Sequence, residues 1–153
     1  MEMTINNAIL RYNLLSVIKF SDQDYSLPRE LKIKLIRLKL DLGKVKDEFM
    51  SFQQKAMEEI KSEEYNILVS KLDKNEEEIK RLNEVTNELN EELNKLVSNK
   101  SEELIEIRSF DYLNDDEFNQ ILNVNIDNNP VINGNQIDFN TYIELLYNNF
   151  LKQ

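Results

Sequence analysis

Leu31, Leu35, Leu38, Leu42, Val45, Phe49, Phe52 and Ala56 recur at alternating spacings of four and three. That rhythm puts them on one stripe of a helix built to lie against another helix. A second ladder, Leu68, Leu72, Asn75, Ile79, Leu82, Thr86, Leu89, Leu93 and Leu96, keeps the same alternation in a different phase. Carried onward from Ala56, the first seam would land on Glu59, Glu63, Asn66 and Ser70, all polar. One helix through both ladders would therefore rotate its apolar stripe off its partner midway, which a turn at Glu58 to Ile67 avoids. The ladders are similar in length, so the pattern predicts an antiparallel helical hairpin over residues 28–98. A turn at Asp73 to Asn75 is the competing placement; it has better turn residues but breaks the second ladder. With no Gly or Pro between Gly43 and Pro130, a single continuous helix is a third reading.

The flanks carry weaker patterns. Thr4 reads as the N-cap of a first helix running to about Phe20, with Ile5, Ile9, Leu14 or Leu15, and Ile18 on one side. Asp22 to Ser26 reads as a loop. Pro28 with Glu30 close behind marks the start of the second helix. Gly43 stands inside that helix, either to allow a close approach beside Leu42 or as an exposed position without a role. Ile33, Ile36 and Leu40 lie beside the main stripe, where they are either a docking surface or covered by the first helix.

Past Lys100 the chain changes character. Leu104, Ile105 and Ile107 alternate with charged residues as a short strand does. Asn114 followed by Asp115, Asp116 and Glu117 reads as a helix cap with acids in the positive first turn, and the helix should reach Leu122. A polar loop follows to Asn135, with Asn133-Gly134 as a tight turn between two extended pieces. A last helix from Phe139 to Leu151 presents Tyr142, Leu145, Leu146 and Phe150. The segment 127–144 superficially matches a calcium loop. Taking Gly134 as its sixth position, however, puts Val131 at the third and Asn140 where a bidentate Glu is needed.

The whole reads as a single mainly α domain, 1–153, whose centre is a long, coiled-coil-like antiparallel hairpin. An N-terminal helix and loop (1–27) precede it, and a small acidic α+β portion with a short strand and two short helices (101–153) follows.

Charge adds direction to this picture. The 153 residues carry a net −10, yet residues 28–46 hold Arg29, Lys32, Lys34, Arg37, Lys39, Lys44 and Lys46 against Glu30 and Asp41, a local +5. Residues 101–153 have ten acids and two bases, a local −8. In the hairpin, the basic start of the second helix should lie beside the third-helix cluster Glu84, Glu88, Glu91 and Glu92. An acidic chain is repelled by phosphate backbones, so direct nucleic-acid binding is not expected. No apolar run is long enough to span a membrane, and Asn6, Asn7, Arg11 and Asn13 interrupt what would be a leader's core.

The candidate chemistry is sparse. There is no histidine and no cysteine, hence no imidazole base, no thiolate ligand and no Ser-His or Cys-His pair. Glycine-rich phosphate loops are absent as well. The acids Asp115 to Glu117 have no partner in the pattern that would shift them, so capping explains them better than acid-base work. The expectation is a non-enzyme with no catalytic, cofactor-binding or metal-binding residues and no small-molecule partner.

The stretch Ser26-Leu27-Pro28-Arg29-Glu30-Leu31-Lys32-Ile33-Lys34-Leu35, running into Glu48-Phe49 and Phe52-Gln53-Gln54-Lys55-Ala56, resembles a family of small helical proteins of tailed bacteriophages. Leu89-Asn90-Glu91-Glu92-Leu93-Asn94-Lys95-Leu96 and Glu103-Leu104-Ile105-Glu106-Ile107 extend the likeness, which covers roughly residues 10–122. Residues 58–80 and the tail from Asn123 depart from it. The family has no established activity, so the resemblance implies a phage origin and a place in the virion or the host cytoplasm, with no site residues to carry over. The expected role is a structural or assembly protein that packs against other phage structural proteins or copies of itself. The alternative is a soluble acidic interaction protein made during infection, such as a nucleic-acid mimic directed at a host protein.

Overall fold

The computed structural model describes residues 1–20, 27–124 and 126–152, which are mainly helical. The loop expected at Asp22 to Ser26 lies outside the described residues. The chain divides into two compact units, residues 1–47 with 104–153 and residues 48–103.

The first unit begins with a strand that no alternation announces, β1 (Glu2–Thr4), paired antiparallel with β2 (Leu104–Glu106) so that Met3 faces Ile105. Helix α1 (Ile5–Ser16) starts as expected, the Thr4 hydroxyl accepting from Asn7 N–H at 3.1 Å, but stops four residues short of Phe20. Leu31, Leu35, Leu38 and Leu42 of α2 (Arg29–Ile60) are buried in one core with Leu14 and Leu15 of α1. Helix α5 (Asp115–Leu122) is capped by Asn114, whose Oδ1 accepts from Glu117 N–H at 2.8 Å, and sends Phe118 and Ile121 inward. Strands β3 (Val131–Ile132) and β4 (Asn135–Gln136) form a hairpin. Its turn is Asn133-Gly134, with φ of 52° and 80°, the left-handed pair that a two-residue hairpin turn demands. Helix α6 (Phe139–Phe150), capped by Asp138, buries Tyr142, Leu146 and Phe150 completely; Leu145 is only half-buried.

Gly43 is a close approach. A Cβ there would meet Tyr12 Cε2 at 3.1 Å, and that ring already carries the Lys46 ammonium 4.8 Å from its centroid. In an open helix, alanine for glycine stabilises by about 1 kcal/mol. Gly43→Ala is expected to fall well short of that in urea unfolding, because the Tyr12 ring must give way. A full gain would show that the ring moves freely.

The second unit is the antiparallel hairpin, built with two breaks. Residues 48–60 of α2 begin one arm, which a short α3 (Glu63–Ser70), capped by Ser62, continues along the other arm, α4 (Glu76–Ser101). Asn75 caps α4 in a reciprocal box with Glu78, satisfying two amide groups that a helix start leaves unpaired. The direction is antiparallel: Lys100 sits over the Phe52 ring at 5.5 Å, while Met57 and Ile60 line one small hollow with Leu89 and Leu93. Arg81 of α4 grips Glu64 of α3, Nε at 2.6 Å and Nη2 at 3.0 Å, and holds that carboxyl below its ordinary range.

Three expectations need correction. The hairpin reverses at the competing placement, Asp73 to Asn75, since Lys71 pairs with Glu78 and Glu64 with Arg81 across it. The break before Glu63 interrupts the first arm without turning it back, and a continuous helix is ruled out. The second ladder is not one seam, since Leu68 is buried on α3, Leu72 is 99% exposed, Asn75 is a cap and Ile79 is exposed. The inward face of α4 begins only at Leu82 and runs through Val85, Thr86, Leu89 and Leu93. Finally, the basic segment finds its partners elsewhere than on Glu84, Glu88, Glu91 and Glu92. Lys34 pairs with Glu117 at 3.0 Å and Asp111 at 3.5 Å, Lys46 donates to Asn13 Oδ1 at 3.0 Å, and Glu84 pairs with Arg81.

Candidate interaction surface

Helix α2 carries two apolar stripes in the first unit. The inner one, Leu31 to Leu42, is buried. Ile33, Ile36 and Leu40, spaced i, i+3, i+7, fall on the opposite side of the helix at roughly 100° per residue. They are 39%, 37% and 63% exposed, so the first helix does not cover them. At about 1.5 Å rise per residue the stripe is some 10 Å long.

Its rim is basic. Lys34, Lys39 and Lys46 are drawn inward, Lys39 lying over the Tyr12 and Phe20 rings at 5.9 and 5.7 Å. Arg37 and Lys44 are exposed on the stripe's side. Lys44 reaches Asp41 at 3.5 Å, a weak solvent-exposed pair, and no described residue pairs with Arg37.

The acids of residues 101–153 are dispersed. Asp115, Asp116 and Glu117 occupy the first turn of α5, Glu117 and Asp111 meet Lys34, Asp127 meets Lys19 at 3.1 Å, and Asp138 caps α6. The backbone and side-chain hydrogen bonds from Thr141 hold the Asp138 carboxyl below its ordinary range.

Two features escape the sequence patterns. An open cleft of about 710 Å³ is lined by Tyr12, Asn13, Lys46, Asp127 and Asn133, among others. Across it Lys46, Asn13 and Asn133 form a hydrogen-bonded chain, Asn13 Nδ2 donating to Asn133 Oδ1 at 2.6 Å. The other is Arg11, a buried charged side chain at 7% exposure. Its Nε donates to the Asn149 carbonyl at 3.1 Å and its guanidinium lies 5.2 Å from the Phe110 centroid. Burial pushes its affinity for a proton down, although an arginine stays charged in any case. A basic residue in α1 gives no sequence signal of being inside, because its partners lie some hundred residues further on.

Among the described residues, no group of acids is placed to hold a metal ion, and no helix is long and apolar enough to cross a membrane. Comparison with family models, curated proteins and solved structures finds no match to this chain.

Proposed function

We propose that this chain is a non-enzymatic structural or assembly protein of a tailed bacteriophage, a virion component that works by packing helices against its neighbours. The supporting observation is the second stripe of α2, Ile33, Ile36 and Leu40, left open on the side away from the core. A helix apolar on two opposite faces suits a chain that folds with one and docks with the other. The family resemblance supplies the phage setting.

The rival reading, a nucleic-acid mimic, calls for acids at phosphate-like intervals on one rigid face. Among the acids of residues 101–153, Asp138 caps α6, Asp115 to Glu117 fill the first turn of α5, and Glu103, Asp111, Glu117 and Asp127 meet lysines, a dispersal that favours the structural role. Quantitative proteomics of purified particles tests it. The expected result is a fixed copy number per virion; abundance in infected cells with absence from particles would sink the proposal in favour of the rival.

A further inference from the structure

We infer that the outer stripe of α2 receives an acidic amphipathic helix from a different protein, an inference that rests on the packing role proposed above and names the partner's chemistry. The stripe presents Ile33, Ile36 and Leu40 as three apolar contacts at helical spacing, which is the anchor pattern of helix-on-helix recognition. Around it the chain concentrates positive charge: residues 28–46 carry seven bases and two acids in a protein of net −10. Lys34, Lys39 and Lys46 are engaged within the fold, whereas Arg29, Arg37 and Lys44 stay exposed on the stripe's side with one acid, Asp47, at its far end. A partner helix with apolar residues at i, i+3, i+7 and flanking Glu or Asp would complement both features.

Charge also disfavours other occupants. A second copy laid antiparallel about the middle of the stripe would bring Arg37 near its own counterpart and Lys44 near the other copy's Arg29, like against like. A membrane surface requires a broad apolar face, and the larger apolar face of α2 here is the inner one, already buried at Leu31, Leu35, Leu38 and Leu42. Nucleic acid would leave the three apolar side chains unused.

The test uses the full chain and a set of helical peptides of about 20 residues, long enough to hold helical structure. All share Leu at i, i+3, i+7, with Glu on one flank, the other or both; a matched set carries Lys. Binding is read by fluorescence anisotropy. At least one Glu peptide should bind, about 0.5 M salt should weaken it, and the Lys set should not bind. Leu40→Ser and Arg37→Glu should each weaken binding about tenfold or more while leaving the circular dichroism spectrum unchanged.

Failure of every Glu peptide, or equal binding of the Lys set, overturns the inference. So does a dimer of the free chain that Leu40→Ser converts to monomer. Binding to a DNA oligonucleotide or to anionic phosphatidylserine vesicles that the same two substitutions abolish would overturn it too. Peptide binding in a protein missing from particles defeats only the virion role. Presence in particles without peptide binding defeats only this inference.

Discussion

Phe150→Ala is expected to destabilise the first unit by about 3–5 kcal/mol, the range for deleting a fully buried aromatic side chain. Phe150 has no exposed surface. Its ring stacks on Phe110 at 6.2 Å and 26°, and Phe110 in turn lies under the buried Arg11 guanidinium and meets the edge of Tyr112 at 5.1 Å. Removing the ring therefore leaves a cavity and also withdraws one side of the platform on which a buried cation rests. The backbone at this point matters as well, since Leu113 N–H donates to the Phe150 carbonyl at 2.8 Å beside the Leu113 to Leu151 bridge. Strain from a collapsing cavity would reach that link.

Whole domains are stable by only about 5–15 kcal/mol, so the urea midpoint should fall by a large fraction. Phe150→Leu, which fills much of the volume, should recover part of the loss. A penalty under about 1 kcal/mol for Phe150→Ala would mean that the site closes over the gap at little cost, contrary to the close packing of protein interiors.

What the sequence revealed follows the range of each interaction. The Asn114 cap, the Asn133-Gly134 turn and helix α6 are decided within a few residues, and all three are legible. The hairpin is legible too, because the phase shift between two ladders is a property of the chain alone. Its extent is not, because a seam says that a helix faces something without saying what. Leu31 to Leu42 turn into the core that α1, α5 and α6 build, whereas Phe52 and Ile60, further along the same helix, meet the side of α4. Two partners share what reads as one stripe.

Strand β1 pairs with residues some hundred positions away, and three residues carry no period of their own. The candidate surface was half legible. The spacing of Ile33, Ile36 and Leu40 is in the sequence; their exposure depends on where α1 lies. Arg11 and the cleft at Lys46 were illegible, since each is assembled from segments far apart in the chain.

Tyr142→Phe is expected to cost about 1–3 kcal/mol, although it removes a single oxygen. The Tyr142 hydroxyl, fully buried, donates to the Leu14 carbonyl at 2.8 Å. Leu14 lies in the last turn of α1, where carbonyls run out of intrahelical donors, and Ile18 N–H goes to Leu15 instead. Without the hydroxyl, a buried carbonyl is left unpaired and its desolvation is uncompensated.

The same burial raises the pKa of the phenol above its ordinary value of about 10, which gives the bond a pH signature. Below about pH 10 the phenol is protonated in both folded and unfolded chains, so its contribution is fully present. As the pH rises further, the unfolded chain ionises first and gains stability, while the folded chain resists because the charged form cannot be solvated inside. The contribution is therefore lost as pH climbs from the unfolded toward the folded value. Phenylalanine does not titrate, so the stability gap between the wild-type protein and Tyr142→Phe should be constant from pH 7 to about 9.5 and narrow above it. Urea midpoints of both proteins at pH 7, 9 and 10.5 measure that gap directly. A gap that stays level or widens at the highest pH would show that Tyr142 is solvated enough to ionise in place.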